Sequence, residues 1–193
     1  MIIYATKQTL ERYKLKLPET MTSSIKPIVE AVIKRESKNE LLEWGAKLFY
    51  FDGKKCIQIV NFASKFTLFL INVKVADLDN IGALMEHYLF GIYKDDKQVV
   101  KALKRMFANS PVICFAKLTD KSAIATLNTT QIRFADDGYR FYEFIEDGIL
   151  KTMEINRSVN LNWLFTMKTN GKMDYFYAGE RFRDLVLDRY GMC

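Results

Sequence analysis

The sequence predicts an α+β fold: one domain whose mostly antiparallel sheet is built around a central hairpin and flanked by amphipathic helices. Two observations predict it, namely an Asp-Gly hairpin pattern in the first third of the chain and apolar stripes at helical spacing on either side of it. The length of 193 residues is typical of one domain, so we assign residues 1–193 to a single unit.

The hairpin pattern spans residues 48–60 and turns at Asp52-Gly53. Asp-Gly tolerates positive φ at both central positions, which a two-residue type I′ turn requires. Apolar side chains occur on both faces of the two strands, so the hairpin is expected in the interior of the sheet. Further strands are predicted by the apolar runs at residues 66–73, 112–118, 122–127 and 130–134.

Helices are predicted where an apolar stripe follows a capping residue. A short helix is expected over Lys7–Tyr13, after Thr6, and a second one has Pro27 near its first position. Four more are predicted over residues 81–93, 97–108, 139–150 and 179–190. Residues 155–165 are compatible with a helix or a loop, and Asn170-Gly171 predicts a turn.

Chemistry that depends on histidine, metal clusters or glycine-rich phosphate loops is disfavoured. His87 is the single histidine of the chain, so zinc sites lack ligands, and Ser-His-Asp or Cys-His arrangements have one candidate base in an apolar helical segment. Neither GxxxxGK[ST] nor GxGxxG occurs. Acidic pairs such as Asp95/Asp96 stand where helices or turns begin, which favours capping over metal binding. We therefore expect no cofactor and no metal.

The cellular setting is predicted from the cysteines and the apolar runs. Cys56, Cys114 and Cys193 form no paired spacing, which favours a reducing cytoplasm without disulfides. The first residues lack the pattern of a signal peptide, and the longest apolar run is too short to cross a bilayer. We expect a soluble, cytoplasmic protein without membrane association.

The polar element Asn156-Arg157-Ser158 is the first candidate for a ligand site, because it lies within an otherwise apolar segment. Arg157 can bind a phosphate or carboxylate through two hydrogen bonds, and its neighbours add donors. Thr6 and Lys7 are candidate neighbours, because helix N-termini attract anions. The alternative is a structural arginine that binds backbone carbonyls and holds an irregular loop.

The basic residues form a second candidate site. The net charge of +6 lies wholly within residues 1–75, whereas the remainder of the chain is balanced. Nucleic-acid contacts are predicted at the hairpin tip and along one face of the helix at 97–108, through Lys54, Lys55, Lys97, Lys101, Lys104 and Arg105. A lysine-rich solvated surface is the alternative.

Three stretches resemble an uncharacterised bacterial family. They are the opening ten residues, the Trp44-Gly45-Ala46-Lys47-Leu48 stretch that continues through Lys55-Cys56 to Asn61, and Asn156-Arg157-Ser158-Val159. Two departures stand out: Gly45 replaces a usual His, and Asn160 begins a continuation unlike the Gly-Ser-Met-Asn of the family. Members are domains of unknown function that stand alone or precede a plasmid ORF-3-like domain. The resemblance implies a shared fold in a bacterial, intracellular setting.

Three function classes remain open. The first is a binding or regulatory module that acts through a protein partner or through self-association, because no catalytic set can be assembled from the sequence. The second is a nucleic-acid-binding protein of a mobile-element or phage-conflict system. The third is a metal-independent nuclease of such a system, which would rely on Arg, Lys, Tyr and carboxylate groups.

Overall fold

The computed structural model describes residues 1–21, 24–136, 138, 140–169 and 171–191. Its strands are β1 (Ile2–Ala5), β2 (Glu43–Phe51), β3 (Lys54–Asn61), β4 (Thr67–Ile71), β5 (Cys114–Lys117), β6 (Ile145–Glu146), β7 (Ile149–Leu150), β8 (Leu164–Thr169) and β9 (Lys172–Tyr177). Its α-helices are α1 (Lys7–Tyr13), α2 (Lys26–Glu36), α3 (Ile81–Ile92), α4 (Lys97–Asn109), α5 (Lys121–Asp136), α6 (Thr152–Asn162) and α7 (Ala178–Tyr190).

The main sheet has the strand order β4-β3-β2-β1-β5, and two hairpins, β6–β7 and β8–β9, stand apart from it. Strand β3 is antiparallel to both β2 and β4, whereas β1 runs parallel to both β2 and β5. The parallel pairs arise because helices lie between these strands in the chain, and a parallel connection needs such a crossover. The predicted α+β class is confirmed. The sheet contains both parallel and antiparallel strand pairs.

The predicted hairpin forms β2 and β3, in the interior of the sheet. Asp52 and Gly53 have φ of 44° and 68°, the positive values that a type I′ turn requires. The turn sets a register in which Leu48 pairs with Ile57 and Tyr50 pairs with Lys55. The hairpin lies in the interior of the sheet, because β1 continues the sheet beyond β2 and β4 continues it beyond β3.

Helices cover both faces of the sheet. One face packs against α1, α3, α4 and α7 around the aromatic side chains of Trp44, Phe66 and Phe182. On the other face, α2 covers β1 and β5, and α5 covers the middle of the sheet. Helix α6 lies along β4, at the edge of the sheet. Within the described residues, no helix combines the length and apolar character that crossing a bilayer requires.

The two strands predicted over residues 122–127 and 130–134 are wrong, because both segments belong to α5. Ala123, Leu127, Thr130 and Phe134 are its buried residues, and their spacing of three and four is that of one helix face. Asp120 starts the helix by accepting a hydrogen bond from the Ala123 amide. The β-branched residues of this segment favoured the strand prediction, but burial against the sheet outweighs that weak preference.

The helix predicted over residues 139–150 is also wrong. Tyr139 lies outside the described residues; beyond it, a short 3₁₀ turn at Phe141–Phe144 leads into the β6–β7 hairpin. This hairpin turns at Asp147 and Gly148, with φ of 51° and 74°. The dipeptide is the same Asp-Gly signal that predicted the first hairpin.

The ambiguous segment at 155–165 is divided between α6 and the start of β8. A turn is predicted at Asn170-Gly171. Gly171, whose φ is 81°, lies between β8 and β9, where this turn is expected. Asn170 itself lies outside the described residues, as does Cys193. The remaining predicted helices are present as α1, α2, α3, α4 and α7.

A buried ion pair joins the first residue to α2. The carboxylate of Glu36 contacts the α-amino group of Met1 and the guanidinium of Arg35, and the α-amino group also donates to the Val112 carbonyl at 2.8 Å. Burial alone would raise the pKa of Glu36, but hydrogen bonds from the α-amino group and from Arg35 outweigh it and hold the pKa below 4.5. The ion pair therefore ties β1, α2 and the segment before β5 together.

Replacing Glu36 with Gln is expected to lower the free energy of unfolding by about 3–5 kcal/mol at neutral pH, because the buried ammonium loses its counter-charge. Since the folded pKa of Glu36 is lowered, its contribution is present above the unfolded pKa of about 4.5 and is lost as the pH falls further. The difference between Glu36→Gln and the wild type should therefore shrink in acid. Urea unfolding across this pH range measures it.

Glu30→Gln is the matched control, because Glu30 lies on the same helix, is exposed and forms an i,i+4 pair with Lys26. It should change stability by less than about 0.5 kcal/mol. A Glu36→Gln variant as stable as this control, or a difference that grows in acid, would show that the buried pair does not stabilise the fold.

Candidate functional site

The Asn156-Arg157-Ser158 element lies in α6, against the outer edge of β4. The side-chain amide of Asn156 accepts from the Phe69 amide at 2.7 Å and donates to the Phe69 carbonyl at 3.1 Å. Asn160 repeats the pattern with Thr67, at 2.8 Å and 2.6 Å. All four hydrogen bonds are buried. Two asparagine amides therefore occupy the place of a further strand.

The geometry of the two elements allows this double contact. Asn156 and Asn160 are four residues apart in a helix, which separates them by about 6 Å along its axis. Thr67 and Phe69 are two residues apart in a strand, which separates them by about 6.6 Å. Asn160 also donates to the Asn156 carbonyl at 2.8 Å, which links the two amides. The edge of β4 is closed by side chains rather than left open to another chain.

Arg157 contacts the last turn of α3. Its Nη1 donates to the carbonyls of Gly91 and Ile92 at 3.2 Å and 3.0 Å, a position where a cation also interacts favourably with the helix dipole. The guanidinium borders a hollow of about 370 Å³ whose lining includes Asp95, Asp96 and Glu180. Arg183 also lines it, so three carboxylates face two guanidinium groups, and the excess of negative charge disfavours a phosphate. The contacts of Arg157 match the structural interpretation of this residue.

The other residues predicted for this site lie elsewhere. Thr6 stands at the N-cap position of α1. Its hydroxyl forms a hydrogen bond with the hydroxyl of Thr9, at 2.7 Å, and does not cap a backbone amide. Lys7 is exposed and lies 3.7 Å from Glu11. Helix α1 follows β1, which lies three strands from β4, or about 14 Å across the sheet. Thr6 and Lys7 therefore do not adjoin Asn156-Arg157-Ser158.

The cysteines and the histidine are poorly placed for catalysis. Burial raises the pKa of the Cys56 thiol to about 12 and that of Cys114 to about 11, so neither is a thiolate at neutral pH. His87 is exposed on α3, with its ring edge-on to Tyr88 at 5.3 Å. Among the residues described, no three His, Cys, Asp or Glu side chains are grouped so as to hold a metal ion.

Gly45 occupies the position at which the resembling family has a usual His. It lies on the sheet face covered by α5, and a Cβ atom built there would be 3.1 Å from the Phe62 ring and 3.4 Å from Leu127. The space that a larger side chain needs is filled by these two residues, so this chain uses the position for packing.

The predicted nucleic-acid residues form two separate groups. Lys54 and Lys55 begin β3 at the tip of the main hairpin. Lys97, Lys101 and Lys104 are exposed along one side of α4. Arg105 differs from them, because its Nη1 donates to the Tyr190 carbonyl at 3.0 Å and so joins α4 to α7.

A basic hollow lies beside the hairpin tip. Its volume is about 400 Å³ and its lining consists of Arg12, Tyr13, Lys55, Asn72, Val73, Lys74 and Val75. No carboxylate is among these residues. Arg12, Lys55 and Lys74 form no ion pair within the described part of the chain. We call this site the basic hollow.

The basic hollow is held by a backbone contact and is bordered by a buried tyrosine. The Asn72 amide donates to the Lys55 carbonyl at 2.8 Å, which fixes the turn after β4 against the hairpin. Tyr13 is 2% exposed, and its hydroxyl has no hydrogen-bond partner among the described residues. Burial raises the pKa of Tyr13, while the nearby Arg12 opposes the shift. The hydroxyl is therefore a protonated donor.

The sequence indicated only part of the basic hollow. Lys55 was predicted from its place at the hairpin tip, but Arg12 and Lys74 carry no local signal. They are 62 positions apart in the numbering of the chain, and the packing of α1 against the hairpin brings them together.

Replacing Asn156 with Ala is expected to lower the free energy of unfolding by about 2–4 kcal/mol, because the buried amide and carbonyl of Phe69 lose their partners. Asn162→Ala is the matched control on the same helix, since Asn162 is exposed. Chemical denaturation of both variants measures the difference. Equal stabilities for the two would contradict the proposed closure of β4 by asparagine.

Comparison with known proteins gives one result. A family model described as Domain of unknown function (DUF6933) matches residues 2–181. No curated protein and no solved structure matched the chain. The match covers the sheet, the basic hollow and the asparagine contacts of α6. The chain therefore belongs to the DUF6933 family of domains of unknown function.

Proposed function

We propose that this chain is a nucleic-acid-binding module that holds backbone phosphates in the basic hollow. The observation that carries the proposal is the convergence of Arg12, Lys55 and Lys74 on one hollow without a carboxylate in its lining. Nearby cations repel one another, so such a group is stabilised by an anion, and binding to nucleic acid releases counterions from its phosphates.

A neighbouring side chain supports a nucleic-acid ligand. Tyr50 is 57% exposed and is the cross-strand partner of Lys55. An exposed aromatic ring beside a phosphate site suits the stacking of an unpaired base, which contributes about 1–3 kcal/mol per base.

The composition of the hollow favours binding over hydrolysis. A metal-independent nuclease needs a general base and a general acid near the scissile phosphate. The hollow offers a tyrosine whose pKa is raised and three cations, but no carboxylate or histidine. We therefore propose binding without cleavage, in place of the nuclease alternative.

The proposal is tested by fluorescence anisotropy with single-stranded DNA and RNA of about 20 nucleotides. Binding should weaken as salt rises from about 50 to about 200 mM, and Arg12→Ala, Lys55→Ala and Lys74→Ala should each reduce the salt slope by about one. Gel analysis should show intact nucleic acid after incubation.

Lys117→Ala is the control, because Lys117 is exposed at the end of β5, outside the hollow. It should leave affinity and salt slope close to the wild-type values. No binding at low salt, or equal binding by the control and all three hollow variants, would refute the proposal.

A second candidate function is self-association through the β8–β9 hairpin. Leu164, Met173, Tyr175 and Tyr177 are between 37% and 63% exposed, and the pairing of Leu164 with Tyr177 and of Thr166 with Tyr175 places them on one face. A two-stranded hairpin is marginal alone. A second copy of this chain would cover the same apolar side chains on both hairpins through a two-fold contact.

Sedimentation velocity tests the second candidate. The wild type should show a concentration-dependent dimer, and Tyr175→Lys should abolish it by placing a charge in the contact. Lys172→Ala, on the opposite face of β9, is the control and should still dimerise. A monomer at every concentration would exclude this mode of association.

A further inference from the structure

A second concave site lies between α5 and the β8–β9 hairpin. It consists of two adjoining hollows, of about 280 Å³ and about 450 Å³, whose linings share Lys65, Thr126 and Thr166. Together they have the size of a small-molecule site. We call this site the Lys65 groove; none of its residues belongs to the basic hollow.

Lys65 is held in place by the turn between β3 and β4. Its φ of 63° is a left-handed conformation that the surrounding structure must stabilise. The Lys65 amide donates to the Asn61 carbonyl and the Thr67 hydroxyl donates to the Lys65 carbonyl, both at 3.0 Å. The fully buried Asn61 in turn binds Ser64 and Leu41. The lysine thus projects from a rigid turn.

Among the described residues, the Lys65 ammonium has no carboxylate within ion-pair distance. Burial lowers the pKa of Lys65, and the more distant carboxylates of Glu40 and Asp120 only partly oppose this effect. A half-buried cation without a partner is costly, so an anionic group beside it would stabilise the groove.

The rest of the lining limits what the anion can be. Glu40 and Asp120 lie at one end of the groove and would repel a ligand with excess negative charge. At the other end, Arg133 already donates to the Leu164 carbonyl and lies 4.9 Å from the Trp163 ring centroid. The groove therefore offers a cation at its centre and carboxylates on one side.

The hydroxyl groups of α5 add acceptors. Thr129 and Thr130 donate their protons to carbonyls of their own helix, at 3.0 Å and 2.9 Å. Their oxygens keep lone pairs that can accept from a ligand. The remaining wall is apolar, with Phe62, Leu164 and Phe165.

We propose that the Lys65 groove binds a small zwitterion of the α-amino-acid class. Its carboxylate pairs with Lys65, its ammonium group faces Glu40 and Asp120, and a neutral side chain lies against the apolar wall. Phosphates and polyanions are disfavoured by the two carboxylates. The inference goes beyond the proposed nucleic-acid function and does not depend on it.

The test is thermal denaturation of the full chain with L-alanine, L-serine, L-leucine and L-phenylalanine at millimolar concentrations. At least one should raise the Tm in a saturable manner, as a ligand of the native state must. Two analogues of leucine test the contribution of each charged group: 4-methylpentanoate lacks the amine and 3-methylbutylamine lacks the carboxylate. Each should bind at least about tenfold more weakly than leucine if both charges are recognised.

Two variants assign the contacts. Lys65→Met should abolish the shift caused by the amino acid, and Asp120→Asn should weaken it while keeping an oxygen to cap α5. Lys172→Met, exposed on β9, is the control and should bind normally. The proposal is overturned if none of the four amino acids binds, if 4-methylpentanoate or inorganic phosphate binds as well as leucine, or if Lys65→Met binds unchanged.

Discussion

The contact between the amides of Asn156 and Asn160 and the edge of β4 is the constraint on which the arrangement of the C-terminal half depends. It supplies the hydrogen bonds that a sixth strand would otherwise provide, and it fixes the position of α6 along the sheet. From this position α6 packs against α3 and α7 and adjoins β9. The wall of the Lys65 groove formed by the β8–β9 hairpin is therefore placed by two buried side-chain amides.

This contact also changes how the polar element of α6 is understood. A polar stretch within an apolar segment indicates a ligand site or a structural requirement, and both are consistent with the sequence. In the structure, Asn156 binds backbone groups of Phe69, and Arg157 binds the end of α3. The ligand of these side chains is thus the protein backbone, and the proposed functional sites lie at the hairpin tip and beside α5.

Sequence patterns were reliable where a local interaction determines the structure. The Asp52-Gly53 turn and the cap of α4, where Asp96 accepts from two backbone amides, depend on neighbours in the chain. Helix α5 could not be assigned in the same way. Its β-branched residues favour a strand, and the helix is selected by the burial of Leu127 and Phe134 against the sheet, which is not a local interaction. The basic hollow was predicted only at Lys55, since Arg12 and Lys74 join it through packing of distant segments.

We infer that an anionic polymer binds in the hollow formed by Arg12, Lys55 and Lys74. Titration of ¹⁵N-labelled protein with a single-stranded oligonucleotide, followed by backbone NMR, tests it most directly. We expect the largest shifts at α1, the β2–β3 turn and the segment after β4, centred on Arg12, Lys55 and Asn72. Shifts confined to the exposed side of α4, or no shifts at low salt, would contradict it.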